Sequence, residues 1–79
     1  MEIKVLGSGC TRCNILEQNT RKAVEELGIE ATIEKIEDIQ KILDYEIMMT
    51  PGLIVNGKVL VSGRILSVNQ VKKLLIQNQ

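Results

Sequence analysis

Residues 2–36, EIKVLGSGCTRCNILEQNTRKAVEELGIEATIEKI, contain the pattern that decides the fold. Glu2 to Leu6 alternate charged and apolar residues with β-branched side chains, which predicts a short strand that ends at a Gly-Ser-Gly turn. From Thr11 to Leu27 apolar residues recur at helical spacing, and Gly28 stands where a helix C-cap belongs. Residues 29–36 alternate again and predict a second strand, which the connection through a helix makes parallel to the first.

The next stretch predicts a second, shorter helix. Asp38 is a suitable N-cap, and the helix is expected to end near Tyr45 or Glu46. Its apolar face is expected to consist of Ile39, Ile42 and Leu43.

A hairpin and a last helix complete the predicted fold. Asn56-Gly57 separates the runs 53–55 and 58–61, and this dipeptide is the strongest short-range hairpin signal because both residues accept positive φ. Ser67 is a plausible N-cap for a helix whose inward residues are Val71, Leu74 and Leu75. The order β-α-β-α-β-β-α predicts one α/β domain over residues 1–79, a four-stranded mixed sheet flanked by three helices.

The composition of the chain excludes several classes of function. The 79 residues carry 10 Lys+Arg and 10 Asp+Glu, one aromatic residue and no histidine. Balanced charge and scarce aromatic side chains argue against nucleic acid as a partner. No apolar run approaches the roughly 20 residues of a membrane span, and the first residues are too few and too polar for a signal peptide. We therefore expect a cytoplasmic protein, monomeric and without a membrane partner.

The chemistry of the chain is expected to come from its two cysteines, which occupy the segment Cys10-Thr11-Arg12-Cys13. Residues three apart on a helix have Cα atoms about 5 Å apart, a distance that a disulfide accepts. First-turn amides and the helix dipole favour a thiolate on Cys10, and Arg12 adds a cation nearby. Cys13 lies on the same apolar face of the helix as Leu16 and should be less exposed than Cys10. The hypothesis is that Cys10 attacks a substrate disulfide and Cys13 resolves the mixed disulfide, without any cofactor.

The sequence also resembles a known group, the thioredoxin and glutaredoxin superfamily, and in particular the small redox-active disulfide proteins of archaea and bacteria. The resemblance spans nearly the whole chain and rests on four segments: Gly9-Cys10-Thr11-Arg12-Cys13, Thr50-Pro51-Gly52, Asn56-Gly57 and Ser62-Gly63. It implies a minimal thioredoxin-like fold and a thiol–disulfide oxidoreductase that acts on protein disulfides and is recharged by a reductase. It further implies that Pro51 follows a cis peptide bond beside the cysteines and that Thr50 offers its backbone to an extended substrate.

This chain departs from the larger members of the superfamily at the site. Gly9 replaces a Trp, Thr11-Arg12 replaces Gly-Pro, and Ser62-Gly63 stands where glutaredoxins have Gly-Gly. The resemblance therefore implies neither a particular reductase nor glutathione binding.

Two other interpretations of the cysteine pair are open. Both residues can be small apolar core residues. Alternatively, the pair can carry Cu(I), because copper-chaperone domains also place C-x-x-C between a first strand and a helix, and two thiolates suit that ion. Those domains usually have Met where Ser8 stands, and they end on a strand, so the predicted order favours redox chemistry. No resident metal is expected, since two cysteines supply only half of the ligands of a closed zinc site.

Met48 and Met49 are expected either to form an apolar rim beside the cysteines or to fill the core.

Overall fold

The elements of the chain follow the predicted order. A computed structural model describes residues 1–7, 11–45 and 49–78. Its strands are β1 (Glu2–Leu6), β2 (Thr32–Ile36), β3 (Gly52–Val55) and β4 (Lys58–Ser62), and its helices are α1 (Thr11–Leu27), α2 (Ile39–Asp44) and α3 (Val68–Gln77). The predicted fold class, a mixed α/β sheet with three helices, is confirmed.

One four-stranded sheet has the order β2-β1-β3-β4. β1 pairs parallel with β2 and antiparallel with β3, and β3 pairs antiparallel with β4. β2 begins at Thr32 and not at Ile29 as predicted. The reason is that β2 lies at the sheet edge and pairs with β1 alone, which itself begins at Glu2 opposite Thr32. Residues 29–31 therefore have no strand beside them.

The two faces of the sheet are covered unequally. On one face α1 and α3 pack against the larger core, whose buried members include Ile3, Val5, Leu16, Ala23, Leu53, Val55, Val71 and Leu75. On the other face the smaller core consists of Leu6, Ile36, Ile42 and Ile54, with Tyr45 packed against it. Burial of both faces explains why every residue of β3 is buried.

The predicted apolar face of α2 is wrong in two of its three members. Ile42 is buried at 4% exposure, but Ile39 and Leu43 are 65% and 54% exposed. Around a helix axis Ile39 and Leu43 lie about 60° and 100° from Ile42, both on the same side of it. A helix of six residues that touches the sheet at Ile42 leaves both on one flank of the contact. The predicted N-cap is confirmed, since Asp38 Oδ1 accepts a hydrogen bond from Gln40 N at 2.9 Å.

The predicted hairpin turn and final cap are confirmed. Asn56 and Gly57 both have positive φ, 51° and 82°. Asn56 also ties the hairpin to β1, because its Oδ1 accepts a hydrogen bond from Glu2 N at 2.9 Å. Ser67 and Gln70 form a reciprocal capping box at the start of α3. The turn at Asn56 and Gly57 fixes where β3 ends and β4 begins, and the capping box fixes where α3 begins.

Candidate functional site

The side chain of Cys13 lies against the backbone of Gly7. Cys13 is fully buried, in the first turn of α1. A methyl group placed on Gly7 would come within 2.2 Å of Cys13 Sγ and 2.6 Å of its Cβ. Gly7 is also held by β2, because its N donates a hydrogen bond to Ile36 O at 2.9 Å. The sequence pattern does not reveal this contact, because it shows only a glycine after a strand.

Cys10 lies outside the described residues, together with Ser8 and Gly9. Along the sequence it directly precedes Thr11, where α1 begins. Its role as nucleophile stays a prediction. Glu46, Ile47, Met48 and Gln79 also lie outside the described residues, so the expected role of Met48 is likewise untested.

Pro51 lies at the same end of the sheet as Gly7. The register pairs Leu6 with Gly52, so the residues that follow β1 and precede β3 meet at that end. The Thr50–Pro51 peptide bond is cis, as the resemblance implied, and Pro51 is fully buried. Thr50 is half-buried. The structure thus brings Cys13 and Pro51, which are far apart in sequence, to one end of the sheet.

A second close approach involves Gly63, which follows β4. A methyl group on Gly63 would lie 2.9 Å from Met49 Cβ, and Gly63 has a φ of 77°. Gly63 N donates to Pro51 O at 2.8 Å. Met49 itself is 64% exposed. Of the two predicted roles for Met49, the exposure favours the apolar rim and not the core. Met49 lies beside Gly63, the residue that is hydrogen-bonded to Pro51.

Arg12 contacts the same loop. Its side chain is exposed, and Nη2 donates to Gly63 O over a long 3.4 Å. This contact links the start of α1 to the end of β4. The predicted effect of Arg12 on a Cys10 thiolate stays a prediction.

Charged groups on α1 and β2 form a network next to this end of the sheet. Lys35 Nζ lies 3.4 Å from a carboxylate oxygen of Glu17 and 3.4 Å from one of Glu37, and it donates to Asn14 Oδ1. Burial acts to raise the pKa of Glu17, but hydrogen bonds from Arg21 and Lys35 outweigh it and hold that pKa below its ordinary value. Burial acts to lower the pKa of Lys35, but its bonds to Glu17 and Glu37 raise it.

These shifts predict acid sensitivity. A carboxyl group whose pKa falls on folding stabilises the folded state above its unfolded pKa and loses that contribution as pH drops through the folded pKa. We expect Glu17→Gln to lower stability at neutral pH and to flatten the decline between about pH 5 and pH 2. Urea unfolding at a series of pH values measures both effects. Glu25→Gln, at an exposed position of the same helix, is the control, and parallel curves for Glu17→Gln and wild type would contradict the prediction.

The mixed sheet, the buried cysteine in the first turn of α1 and the cis-proline loop together define the thioredoxin-like class of α/β proteins. A family model described as "Thioredoxin domain" matches residues 1–76. A protein named thioredoxin from Methanothermobacter thermautotrophicus is 44% identical over 75 residues, 95% of this chain and 97% of that relative. Another thioredoxin, from Methanocaldococcus jannaschii, is 40% identical over 73 residues, 92% of this chain and 84% of that relative. The chain belongs to the thioredoxin domain family.

Family membership confirms the resemblance seen in the sequence and identifies the chain as a thioredoxin-like redox protein, a thiol–disulfide oxidoreductase in general terms. Nothing in these comparisons points to a soft-metal carrier. Within the described ranges, no helix combines the length and the apolar character needed to cross a bilayer.

Proposed function

We propose that the protein reduces or exchanges disulfides of protein substrates through a reversible disulfide between Cys10 and Cys13. The observation that carries the proposal is the complete burial of Cys13 against Gly7, in the turn of α1 that follows Cys10. Burial keeps foreign disulfides away from Cys13, so the first attack falls to Cys10. Cys13 is left to react with a sulfur that has already been brought to its neighbour.

The reaction proceeds in two exchanges. The Cys10 thiolate attacks one sulfur of the substrate disulfide, and the other substrate sulfur leaves as a thiolate that takes up a proton. Cys13 then loses its proton and attacks Cys10 Sγ, which forms the Cys10–Cys13 disulfide and releases the second substrate thiol. The substrate has gained two electrons and two protons, and a separate reductase returns them to the protein.

The Thr50–Pro51 loop supports substrate binding at the same place. Thr50 is half-buried beside the buried Pro51, and Met49 is exposed next to it. An extended polypeptide that pairs with the backbone of Thr50 would bring its disulfide to the end of the sheet that holds Cys13. Arg12 borders this region through its contact with Gly63 and is proposed to favour the Cys10 thiolate.

The test measures disulfide reduction and metal binding on one sample. We expect the protein to accelerate reduction of insulin by dithiothreitol, and we expect alkylation of its thiols to remove the acceleration. Cu(I) affinity is measured by competition with a chromogenic chelator. Tight Cu(I) binding without any acceleration of insulin reduction would overturn the proposal in favour of a metal carrier.

A further inference from the structure

A groove with an apolar floor runs between β4 and α3. Its volume is about 420 Å³. Leu66 lies buried in the floor, and Leu60 and Leu74 are partly buried there. Arg64 and Lys73 are exposed at its rim, and none of the described residues that line it carries a carboxylate. Since the chain as a whole has 10 basic and 10 acidic residues, these two cations are a local feature.

The loop that contacts Pro51 leads directly to Arg64, which lines the groove. Arg64 directly follows Gly63, whose N donates to Pro51 O and whose carbonyl accepts from Arg12. One loop therefore borders Pro51 on one side and opens the groove on the other. A polypeptide whose disulfide lies near Pro51 has a continuous path along this loop.

The edge of β4 is not suited to adding a further strand. β4 is the last strand of the sheet, and its register is irregular, with Leu53 opposite Val61 but Ile54 opposite Val59. Leu60 is the extra residue and lines the groove. An irregular edge disfavours strand addition, so a ligand here would be held by side chains inserted into the groove.

We propose that this groove docks a segment of the partner protein that carries apolar and acidic side chains and lies next to the disulfide to be exchanged. Apolar side chains bury against Leu60, Leu66 and Leu74, and carboxylates pair with Arg64 and Lys73. The inference rests on the proposed function and adds to it a preference among substrates. Attraction between these two cations and the carboxylates of the segment acts mainly on the rate of encounter, and salt screens it.

The test compares three oxidised peptides that share one internal disulfide: one without a tail, one with an alternating Leu and Glu tail, and one with a matching Leu and Lys tail. Pre-reduced protein is mixed with each peptide, and single-turnover rates are measured at low and high salt. We expect the Glu tail to react about fivefold faster than the Lys tail at low salt. Arg64→Glu combined with Lys73→Glu should reverse that order. Lys22→Glu combined with Lys58→Glu, at exposed sites outside the groove, should preserve it.

The outcomes separate the two proposals. Equal rates for both tails, or the same preference in the Arg64→Glu/Lys73→Glu variant, would overturn the docking surface while leaving disulfide exchange intact. If the untailed peptide is not reduced at all, the proposed function fails, and fluorescence anisotropy with cysteine-free tails decides the docking separately. Self-association that the same variant abolishes would assign the groove to a second copy of the chain and overturn the inference.

Discussion

Cys10→Ser is expected to abolish disulfide reduction, with a loss of at least about a thousandfold in rate, because a serine hydroxyl is not a nucleophile towards sulfur at neutral pH. Cys13→Ser is expected to react once and then stop. The first exchange forms the bond between Cys10 and the substrate, but no second thiol remains to break it. The two single substitutions therefore give different results although both leave one cysteine.

Mass spectrometry distinguishes the two variants. Incubation with an oxidised protein substrate should increase the mass of Cys13→Ser by one substrate chain, and dithiothreitol should reverse the increase. Cys10→Ser should gain no mass, because its remaining thiol is buried. A stable adduct on Cys13 in the Cys10→Ser variant would show that Cys13 can act as the nucleophile. Full turnover by Cys13→Ser would show that Cys13 is not needed as the resolving thiol.

Local signals predict much of this fold. The hairpin turn needs positive φ at Asn56 and Gly57, and the cap of α3 needs the hydroxyl of Ser67, so each is visible within a few residues. The cis bond at Pro51 was not visible in this way. It followed only from the resemblance, since the residues around a proline do not reveal its isomer.

Non-local contacts account for what the sequence did not predict. The Tyr45 hydroxyl accepts a hydrogen bond from Lys4 Nζ at 2.7 Å, which links the end of α2 to β1. This bond raises the pKa of Lys4. The contact of Gly7 with Cys13 and that of Gly63 with Met49 have the same origin. Each depends on how a helix or loop approaches a strand, which residue periodicity does not encode.

The close approach of Gly7 to Cys13 predicts the second large effect, on stability. Gly7→Ala places a methyl group 2.2 Å from Cys13 Sγ, and the hydrogen bond from residue 7 N to Ile36 O restrains the backbone there from moving. We expect a loss of about 3 kcal/mol in the free energy of unfolding, a large share of the roughly 4–12 kcal/mol of a domain this size. Chemical denaturation monitored by circular dichroism measures the loss.

A second glycine separates crowding from backbone preference. Gly28 has a φ of 65°, and a methyl group added there would meet no atom within 4 Å, so Gly28→Ala should cost only the left-handed penalty of about 1 kcal/mol. Crowding also predicts a rescue, since Cys13→Gly removes both atoms that the methyl group on residue 7 would meet most closely. Gly7→Ala should therefore cost much less in the Cys13→Gly background, and an undiminished cost there would place its cause in the backbone of Gly7. Because the same contact buries the proposed resolving thiol, a side chain at residue 7 would displace Cys13 as well as lower stability.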